Sequence, residues 1–372
     1  AGLAAGMNVT QSSGQPGSDN ATIRIRGDGS FTSGANGPLV LVDGVEWSMD
    51  NVNPNDIASI SVLKDAASAS IYGTRAANGV ILITTKNGSA GKAQISYSYK
   101  GILQMPYNDL HFVSDYARHM ELINESCDNI GTSRIFSQSN IDLWREKSSD
   151  PYGVGENGVP NFALYPNTDW FDELFTHNLQ QEHTLSISTG SDKSRTYASI
   201  GFLRDDGWSV ADEVSRYTLN FRNDYTVSEK ISVGVQAVAS FRDQSAPGSY
   251  SRKINSVTGE WSREFDINPF SYALNTSRAV RPYDDNGNLE YVQMNYAPFN
   301  IFNELENNKI ELNVVDAKLQ GEFNWSILKD LKFNFTGALR YVKSDQLHKI
   351  TEDSNVANAY RAAGNSTIRQ NN

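Results

Sequence analysis

From Gly91 onward, the sequence is built from segments of about ten residues in which apolar and polar side chains alternate. The first of these segments places Ala93, Ile95, Tyr97 and Tyr99 between polar residues. Because successive side chains of a β-strand point to opposite sides, each segment is predicted to be a strand with one apolar and one polar face. The pattern therefore requires a sheet whose two faces meet different surroundings.

About seven segments follow this pattern, at 93–100, 185–188, 195–204, 217–225, 231–240, 315–325 and 331–341. Strands of about ten residues cross a bilayer when they are tilted by about 40°. The connections differ in length, since short turns at 228–230 and 328–330 contrast with links at 204–215 and 242–309. This asymmetry is typical of outer-membrane barrels, and we expect the 242–309 link to be an extracellular lid.

The alternation also fits a soluble antiparallel sandwich or barrel, so two fold classes stay open at this point. Aromatic residues near the predicted strand ends and the unusual loop lengths favour the membrane barrel. A helical membrane protein is excluded, because no run approaches the roughly 18 consecutive apolar residues that a spanning helix needs. The mean hydropathy of -0.47 is compatible with a barrel, whose lumen face is polar.

Residues 1–90 follow a different sequence pattern, with short apolar runs between turns rich in glycine, alanine and serine. We predict a mixed α/β domain over 1–90, followed by a strand-rich domain over 91–372. Within the first domain, strands are predicted at 23–26, 39–42 and 80–85. A short helix is predicted near 64–72, with Gly73 ending it in the left-handed conformation. Another helix is predicted at 115–126, with Cys127 as a half-buried small residue.

The net charge of -11 argues against a nucleic-acid partner, which requires clustered lysine and arginine. The five histidines lack the spacing of paired metal ligands and no GxSxG motif is present, so we predict neither an enzyme nor a metal or cofactor site. The run 284–288 begins like a calcium loop, but position 295 is asparagine where a bidentate glutamate is needed. We therefore interpret this run as a polar hairpin tip.

One stretch of the sequence is a more specific signal than the alternation of apolar and polar residues. Residues 62–86, VLKDAASASIYGTRAANGVILITTK, closely resemble the plug signature of SusC/RagA-type TonB-dependent outer-membrane transporters. Further matches to this family occur in the same order and spacing at 12–17, 23–27 and 42–45, and continue through 167–175 and 201–207. The resemblance covers essentially the whole chain and is most specific over residues 12–88.

The resemblance implies a transmembrane antiparallel β-barrel with an N-terminal mixed α/β plug domain. The chain would supply that plug and about seven of the roughly 22 strands of such a barrel. The implied location is the outer membrane of Bacteroidetes-type Gram-negative bacteria. Because the sequence shows neither a signal peptide at its start nor a closing aromatic strand at its end, we expect both ends to be truncated.

The resemblance also implies a function, the active import of a bulky nutrient, with an oligosaccharide preferred over a peptide. A SusD-like surface lipoprotein would cap the barrel in a dimeric SusCD assembly. The TonB–ExbB–ExbD complex would supply energy by pulling on a segment that precedes the plug. A siderophore or cobalamin importer is the alternative within this class, and a non-transporting β-rich surface binding protein is the alternative outside it.

Two arginines are implied to hold the plug in place. In TonB-dependent transporters, arginines at the positions that match Arg26 and Arg75 pair with barrel glutamates. Since a charge inside a plugged lumen is costly unless it is paired, loss of such a pair would loosen the plug by a few kcal/mol. The alternative is that both are ordinary solvated arginines.

A glycine-rich loop at 27–37 is implied to face the outer cavity. The predicted substrate contacts in this loop are Ser30, Phe31, Thr32, Ser33 and Asn36. Phe31 would stack on a sugar ring or on an apolar side chain, or would instead be a buried anchor for the loop.

Overall fold

The structure is a computed structural model of the 372-residue chain. It describes residues 8–11, 14–17, 22–25, 37–64, 70–105, 113, 115–155, 158–248, 253–254, 261–262, 267–294, 297–355 and 357–358. A search of these residues finds no helix that is long and apolar enough to span a membrane.

The N-terminal unit, the described residues between 8 and 86, contains six short strands. They are β1 (Asn8–Thr10), β2 (Thr22–Arg24), β3 (Leu39–Val42), β4 (Val45–Glu46), β5 (Ile57–Leu63) and β6 (Val80–Thr85). The first two form an antiparallel pair. The other four form a mixed sheet in the order β4-β3-β6-β5, in which β3 and β6 run parallel. Three 3-10 turns connect them, at Met49–Asn51, Pro54–Asp56 and Ser70–Ala76.

The strands predicted at 39–42 and 80–85 are confirmed, because their β-branched residues fill the core of this unit. Val42, Ile81 and Ile83 pack there around Trp47. The prediction near 64–72 is only partly testable, since residues 65–69 lie outside the described residues and the remainder is a 3-10 turn. Gly73 has the expected positive φ of 67°, but its ψ of -155° interrupts the turn and does not cap a helix.

The rest of the described chain contains eleven strands and six short helices. The strands are β7 (Gly91–Gln104), β8 (Asn178–Gly190), β9 (Ser194–Asp205), β10 (Glu213–Ser228), β11 (Ile231–Pro247), β12 (Lys253–Ile254), β13 (Trp261–Ser262), β14 (Val292–Met294), β15 (Ala297–Phe299), β16 (Asn308–Leu328) and β17 (Leu331–Ile350). The helices are α1 (Tyr116–Ile130), α2 (Gln138–Ser148), α3 (Asn161–Leu164), α4 (Trp170–Leu174), α5 (Pro269–Asn275) and α6 (Ile301–Asn307).

Seven of these strands form one antiparallel sheet in the order β17-β16-β11-β10-β9-β8-β7. All seven predicted segments are present in it, and the sheet is open, with β7 and β17 at its edges. Its short connections, 191–193, 229–230 and 329–330, lie at one end, which we call the turn end. The long connections, 105–177, 206–212 and 248–307, lie at the other, which we call the loop end.

The buried face of this sheet is the polar one. Along β10, Asn220 is 2% exposed, whereas its neighbours Leu219 and Phe221 are 46% and 40% exposed. The same arrangement holds in β11 and β16, where Gln236 and Gln320 are buried and Leu319 is exposed. A soluble sandwich would bury the apolar face instead, so the structure favours the membrane barrel of the two fold classes. An apolar surface of this size is stable only against hydrocarbon or another apolar partner.

Two groups of aromatic residues border the exposed apolar face. Near the loop end, Tyr99, His183, Phe202, Tyr217 and Phe241 lie in register across β7 to β11. Near the turn end, the aromatic residues are Tyr225, Phe323, Trp325, Phe333 and Phe335. Tyr217 and Tyr225 are eight residues apart in β10, which is about 27 Å along a strand and about 21 Å across a membrane at the usual tilt. The spacing is close to the height of the apolar band of outer-membrane barrels.

Leu319 provides a test of lipid contact, because it is exposed and is in register, through Ala237, with Phe221, which lies midway between Tyr217 and Tyr225 in β10. We expect Leu319→Arg to destabilise the membrane-inserted protein by about 2–4 kcal/mol, the cost of arginine at the bilayer midplane. Urea unfolding of the full-length protein in lipid vesicles measures this cost. Ile135→Arg, at an exposed position in the 105–177 connection, is the matched control and should have little effect. Equal effects of the two changes would contradict lipid contact.

Candidate functional site

The β3–β4 hairpin of the N-terminal unit directs its tip at the polar face of the large sheet. Asp43 and Gly44 form the two-residue turn, and both have positive φ, 52° and 82°. Hairpin turns of this kind require positive φ at both central positions, which Asp and Gly tolerate better than most residues. The local sequence thus places an acidic side chain at the tip.

Asp43 connects the hairpin to three strands. One carboxylate oxygen accepts a hydrogen bond from the Thr85 backbone N–H at 2.9 Å, and the other accepts from Thr85 Oγ1 at 2.7 Å and from Gln236 Nε2 at 2.9 Å. The backbone carbonyl of Asp43 accepts from Gln320 Nε2 at 2.9 Å. One residue therefore links the hairpin and β6 to β11 and β16 of the seven-stranded sheet, which we call the wall.

Trp47 lies beside two cations of the large sheet. Lys318 Nζ is 5.5 Å and the Arg340 guanidinium carbon 4.8 Å from the centroid of its ring. Lys318 is 2% exposed, and its ammonium donates to the Val42 carbonyl at 3.3 Å. Asp316 holds Arg340 through two hydrogen bonds of 2.9 and 2.7 Å. Because a buried cation needs compensating partners, the indole ring and the Val42 carbonyl make the burial of Lys318 tolerable, while Arg340 is paired with Asp316.

On another part of the polar face, the 3-10 turn Pro54–Asp56 and the preceding Asn53 contact β8 and β9. The side-chain amides of Asn53 and Asn55 both donate to Thr184 Oγ1 at 3.0 Å. The Tyr197 hydroxyl donates to Asp56 at 2.8 Å. Burial raises the pKa of the Asp56 carboxyl, although hydrogen bonds to it act in the opposite direction.

The interface between the N-terminal unit and the sheet is therefore made largely of hydrogen bonds. A hydrogen bond contributes only about 1 kcal/mol net, because water replaces it when it breaks. Such an interface costs less free energy to separate in the presence of water than a large apolar contact would. Among the residues that the structure describes, no cluster of histidine, cysteine, aspartate or glutamate is suited to hold a metal ion.

Most of the predicted site residues lie outside the described part of the chain. These are Arg26, Ser30, Phe31, Thr32, Ser33 and Asn36. Arg75 is described, and it forms an ion pair with Glu46 of the same unit, with the two side chains 64% and 54% exposed. All four glutamates of the seven described strands form ion pairs within the sheet, Glu182 with Lys100, Glu213 with Arg204, Glu311 with Lys349 and Glu322 with Arg222. A lock between Arg75 and a barrel glutamate remains a prediction.

Asp43, Trp47 and Lys318 are contact residues that the sequence did not single out. The Asp43-Gly44 pair between two apolar strands was a visible turn signal, and the family resemblance included it at 42–45. The polar residues of the alternating strands could also be recognised from the sequence. The pairing of one particular turn with one particular row of polar residues depends on tertiary docking, which local patterns do not specify.

Comparison with known proteins agrees with this geometry. A family model described as the TonB-dependent receptor plug domain matches residues 1–80. A TonB-dependent receptor of Formosa agariphila is 33% identical over 250 residues, which is 65% of this chain and 23% of that protein. The TonB-dependent receptor SusC of Bacteroides thetaiotaomicron is 33% identical over 229 residues, 58% of this chain and 20% of that protein. The chain thus spans less than a quarter of the length of these relatives.

Solved structures show the same architecture. The RagAB peptide importer in its closed-closed state matches 95% of this chain and 39% of the compared chain, with a TM-score of 0.71 and 26% identity. Another structure of the RagAB peptide transporter matches 92% of this chain and 39% of its own, with a TM-score of 0.70 and 25% identity.

The N-terminal unit and the sheet together are the plug and part of the wall of a TonB-dependent outer-membrane β-barrel. Within that class, the chain is of the SusC/RagA type. The predicted fold class and the location in the outer membrane are thereby confirmed.

The central role of Asp43 can be tested by removing its carboxylate. We expect Asp43→Ala in the full-length protein to weaken plug docking by about 1.5–3 kcal/mol, because it removes hydrogen bonds to a charged group and leaves Gln236 without this acceptor. Limited proteolysis of the plug, followed over a urea series, measures the change.

The matched control is Asp284→Ala. The Asp284 carboxylate accepts two backbone hydrogen bonds of 2.8 Å from Asn286 and Asn288, so it stabilises its own hairpin tip, as the sequence suggested. We expect this variant to leave plug cleavage unchanged. Identical cleavage of both variants and the wild type would show that Asp43 does not anchor the plug.

Proposed function

We propose that the whole protein imports a bulky nutrient across the outer membrane by TonB-dependent active transport. In this proposal, residues 1–90 form the plug domain and residues 91–372 form the N-terminal part of the barrel. The observation that carries the proposal is a polar, hydrogen-bonded plug interface on the inner face of a wall whose outer face is apolar.

The interface fits a plug that is displaced by force. Its contacts at Asp43, Asp56, Asn53 and Asn55 are separate hydrogen bonds that can break one after another. Each costs little because water takes the place of the lost partner. A TonB–ExbB–ExbD complex, driven by the proton-motive force, would pull on a segment that precedes the plug and supply the energy for these steps.

The connections at the loop end are consistent with a capped barrel. Helices α4, α5 and α6, from two different connections, share one apolar cluster built around Trp170, Leu174 and Tyr272. A folded surface of this kind suits a protein partner, and we propose a SusD-like lipoprotein in a dimeric SusCD assembly. An oligosaccharide is the proposed substrate, and similarity to the RagAB peptide importer favours a peptide as the second candidate.

Two sets of residues are proposed to serve import. The loop residues Ser30, Phe31, Thr32, Ser33 and Asn36 would contact substrate, and Arg26 and Arg75 would lock the plug. Arg75 precedes β6 and pairs with Glu46, which also interacts electrostatically with Arg340 of β17. Arg75 thus lies on the side of the plug nearest the β17 edge, where further strands of a closed barrel would follow.

Arg75 and Glu46 allow the lock to be tested. An exposed ion pair contributes about 0–1 kcal/mol, so if Glu46 were the only partner, Arg75→Ala and Glu46→Ala would have the same small effect. With a barrel glutamate as the partner, we expect Arg75→Ala to loosen the plug by a few kcal/mol and Glu46→Ala to leave it in place. Plug proteolysis in the full-length transporter measures both. If both variants were digested in the same way as the wild type, a lock through Arg75 would be ruled out.

Import itself is tested by growth of the source bacterium with the gene deleted. We expect deletion to abolish growth on one class of oligosaccharide as sole carbon source, and the full-length gene to restore it. Restoration should fail when TonB is removed or the proton-motive force is collapsed. Loss of growth on oligopeptides alone would establish peptides as the imported substrate class. Normal growth on both classes, combined with loss of ferric siderophore uptake, would contradict the proposal.

A further inference from the structure

Three segments that the sequence singled out meet at the loop end. They are part of the 12–17 segment of the plug, the 167–175 segment before β8, and the 201–207 segment at the end of β9. We call the meeting point of residues 14–17, 170–175 and 205–212 the loop-end junction. Since these segments are far apart in sequence, their convergence is a property of the fold.

The plug side of the junction is held by hydrogen bonds to two parts of the wall. Gln15 Nε2 donates to Asp212 at 2.7 Å, in the connection between β9 and β10. Gln244 Nε2, near the loop end of β11, donates to the carbonyl of Pro16 at 3.0 Å. Burial raises the pKa of the Asp212 carboxyl, and the hydrogen bond from Gln15 partly opposes this effect.

Two glycines make the contact close. Gly17 has a φ of 73°, and a Cβ added there would lie 2.5 Å from Gln244 Oε1. Gly207 has a φ of 69°, and its added Cβ would lie 2.9 Å from the Pro16 ring. Both positions therefore favour glycine because of backbone conformation and of space. The plug segment therefore lies closely against Gln244 of β11 at Gly17 and against the 206–212 connection at Pro16.

The 206–212 connection is in turn bound to α4. The Thr176 N–H donates to the Trp208 carbonyl at 2.8 Å, and the Val210 N–H donates to the Leu174 carbonyl at 3.2 Å. The rings of Phe175 and Trp208 are 4.8 Å apart. This connection is thereby paired with the end of α4 and with the residues that follow it, where Phe175 and Ser209 form an antiparallel bridge.

Helix α4 belongs to the apolar cluster of the large outer connections. Trp170, Leu174 and Phe175 pack there with Tyr272 of α5 and Ile301 of α6. The Trp170 indole also donates to the Ser277 carbonyl at 3.1 Å. A continuous set of contacts thus runs from plug residues 14–17 through the 206–212 connection to α4, α5 and α6.

We propose that the loop-end junction couples the plug mechanically to the outer connections, so that displacement of residues 14–17 loosens α5 and α6. The coupling is reciprocal, because a change that favours separation at one end must favour it at the other. Its use during import rests on the proposed function, whereas its existence is a property of the protein without substrate or TonB.

Hydrogen exchange of the full-length protein in detergent, without substrate, tests the coupling. Gly17→Ala adds a methyl group against Gln244. We expect amide exchange in α5 and α6 to become at least about five-fold faster, which is about 1 kcal/mol. Gly131→Ala is the matched control, because Gly131 has a similar φ of 71°, has open space around it and lies at the end of α1. It should leave α5 and α6 unchanged.

Gln15→Ala is a milder second variant, in case Gly17→Ala does not assemble. It removes the hydrogen bond to Asp212 without steric conflict, and we expect faster exchange in the same helices. Faster exchange confined to the plug, or equal acceleration by Gly131→Ala, would overturn the coupling. Unchanged exchange in α5 and α6 with Gln15→Ala would also overturn it. None of these outcomes depends on whether the protein imports a nutrient.

Discussion

The reversed polarity of the seven-stranded sheet is the constraint on which the rest of the structure depends. Its polar side chains are buried and its large apolar side chains are exposed, as the contrast between Asn220 and Leu219 shows. In water this arrangement would be unstable, because it leaves apolar surface solvated. In an outer membrane the exposed face meets hydrocarbon, and the polar face needs a wet lumen or a polar partner.

The plug is that polar partner. Its own core, around Trp47, Ile81 and Ile83, is apolar and compact, while its contacts to the wall are mainly hydrogen bonds that Asp43 and Asp56 accept and that Asn53 donates. The stability of the plug fold and the stability of its docked position therefore depend on different interactions. The plug keeps its fold through apolar burial and its position through polar contacts, so the position can change while much of the fold is kept. This division suits the proposed import, in which the pore opens only when the plug moves.

Sequence patterns predicted much of this architecture. The seven alternating segments all became strands, because a period of two fixes which side chains share a face. The run at 80–85 became β6, because β-branched residues pack well in a buried strand. The contact of Asp43 with Gln236 was beyond such patterns, since it joins residues 193 positions apart. For Arg75, the resemblance predicted a glutamate of the barrel as partner, which stays a prediction. The structure shows an ion pair with Glu46 of the plug, which the sequence did not predict.

Site-directed spin labelling along β10 tests the reversed polarity most directly. In the full-length transporter, a nitroxide would be placed in turn at each position from 217 to 222, and its collision rates with oxygen and with a water-soluble nickel complex would be measured. Labels at 217, 219 and 221 should collide with oxygen dissolved in the lipid, and labels at 218, 220 and 222 should be shielded from both reagents by the plug. Free access of the nickel complex to 219 and 221 would contradict the assignment of this face to lipid.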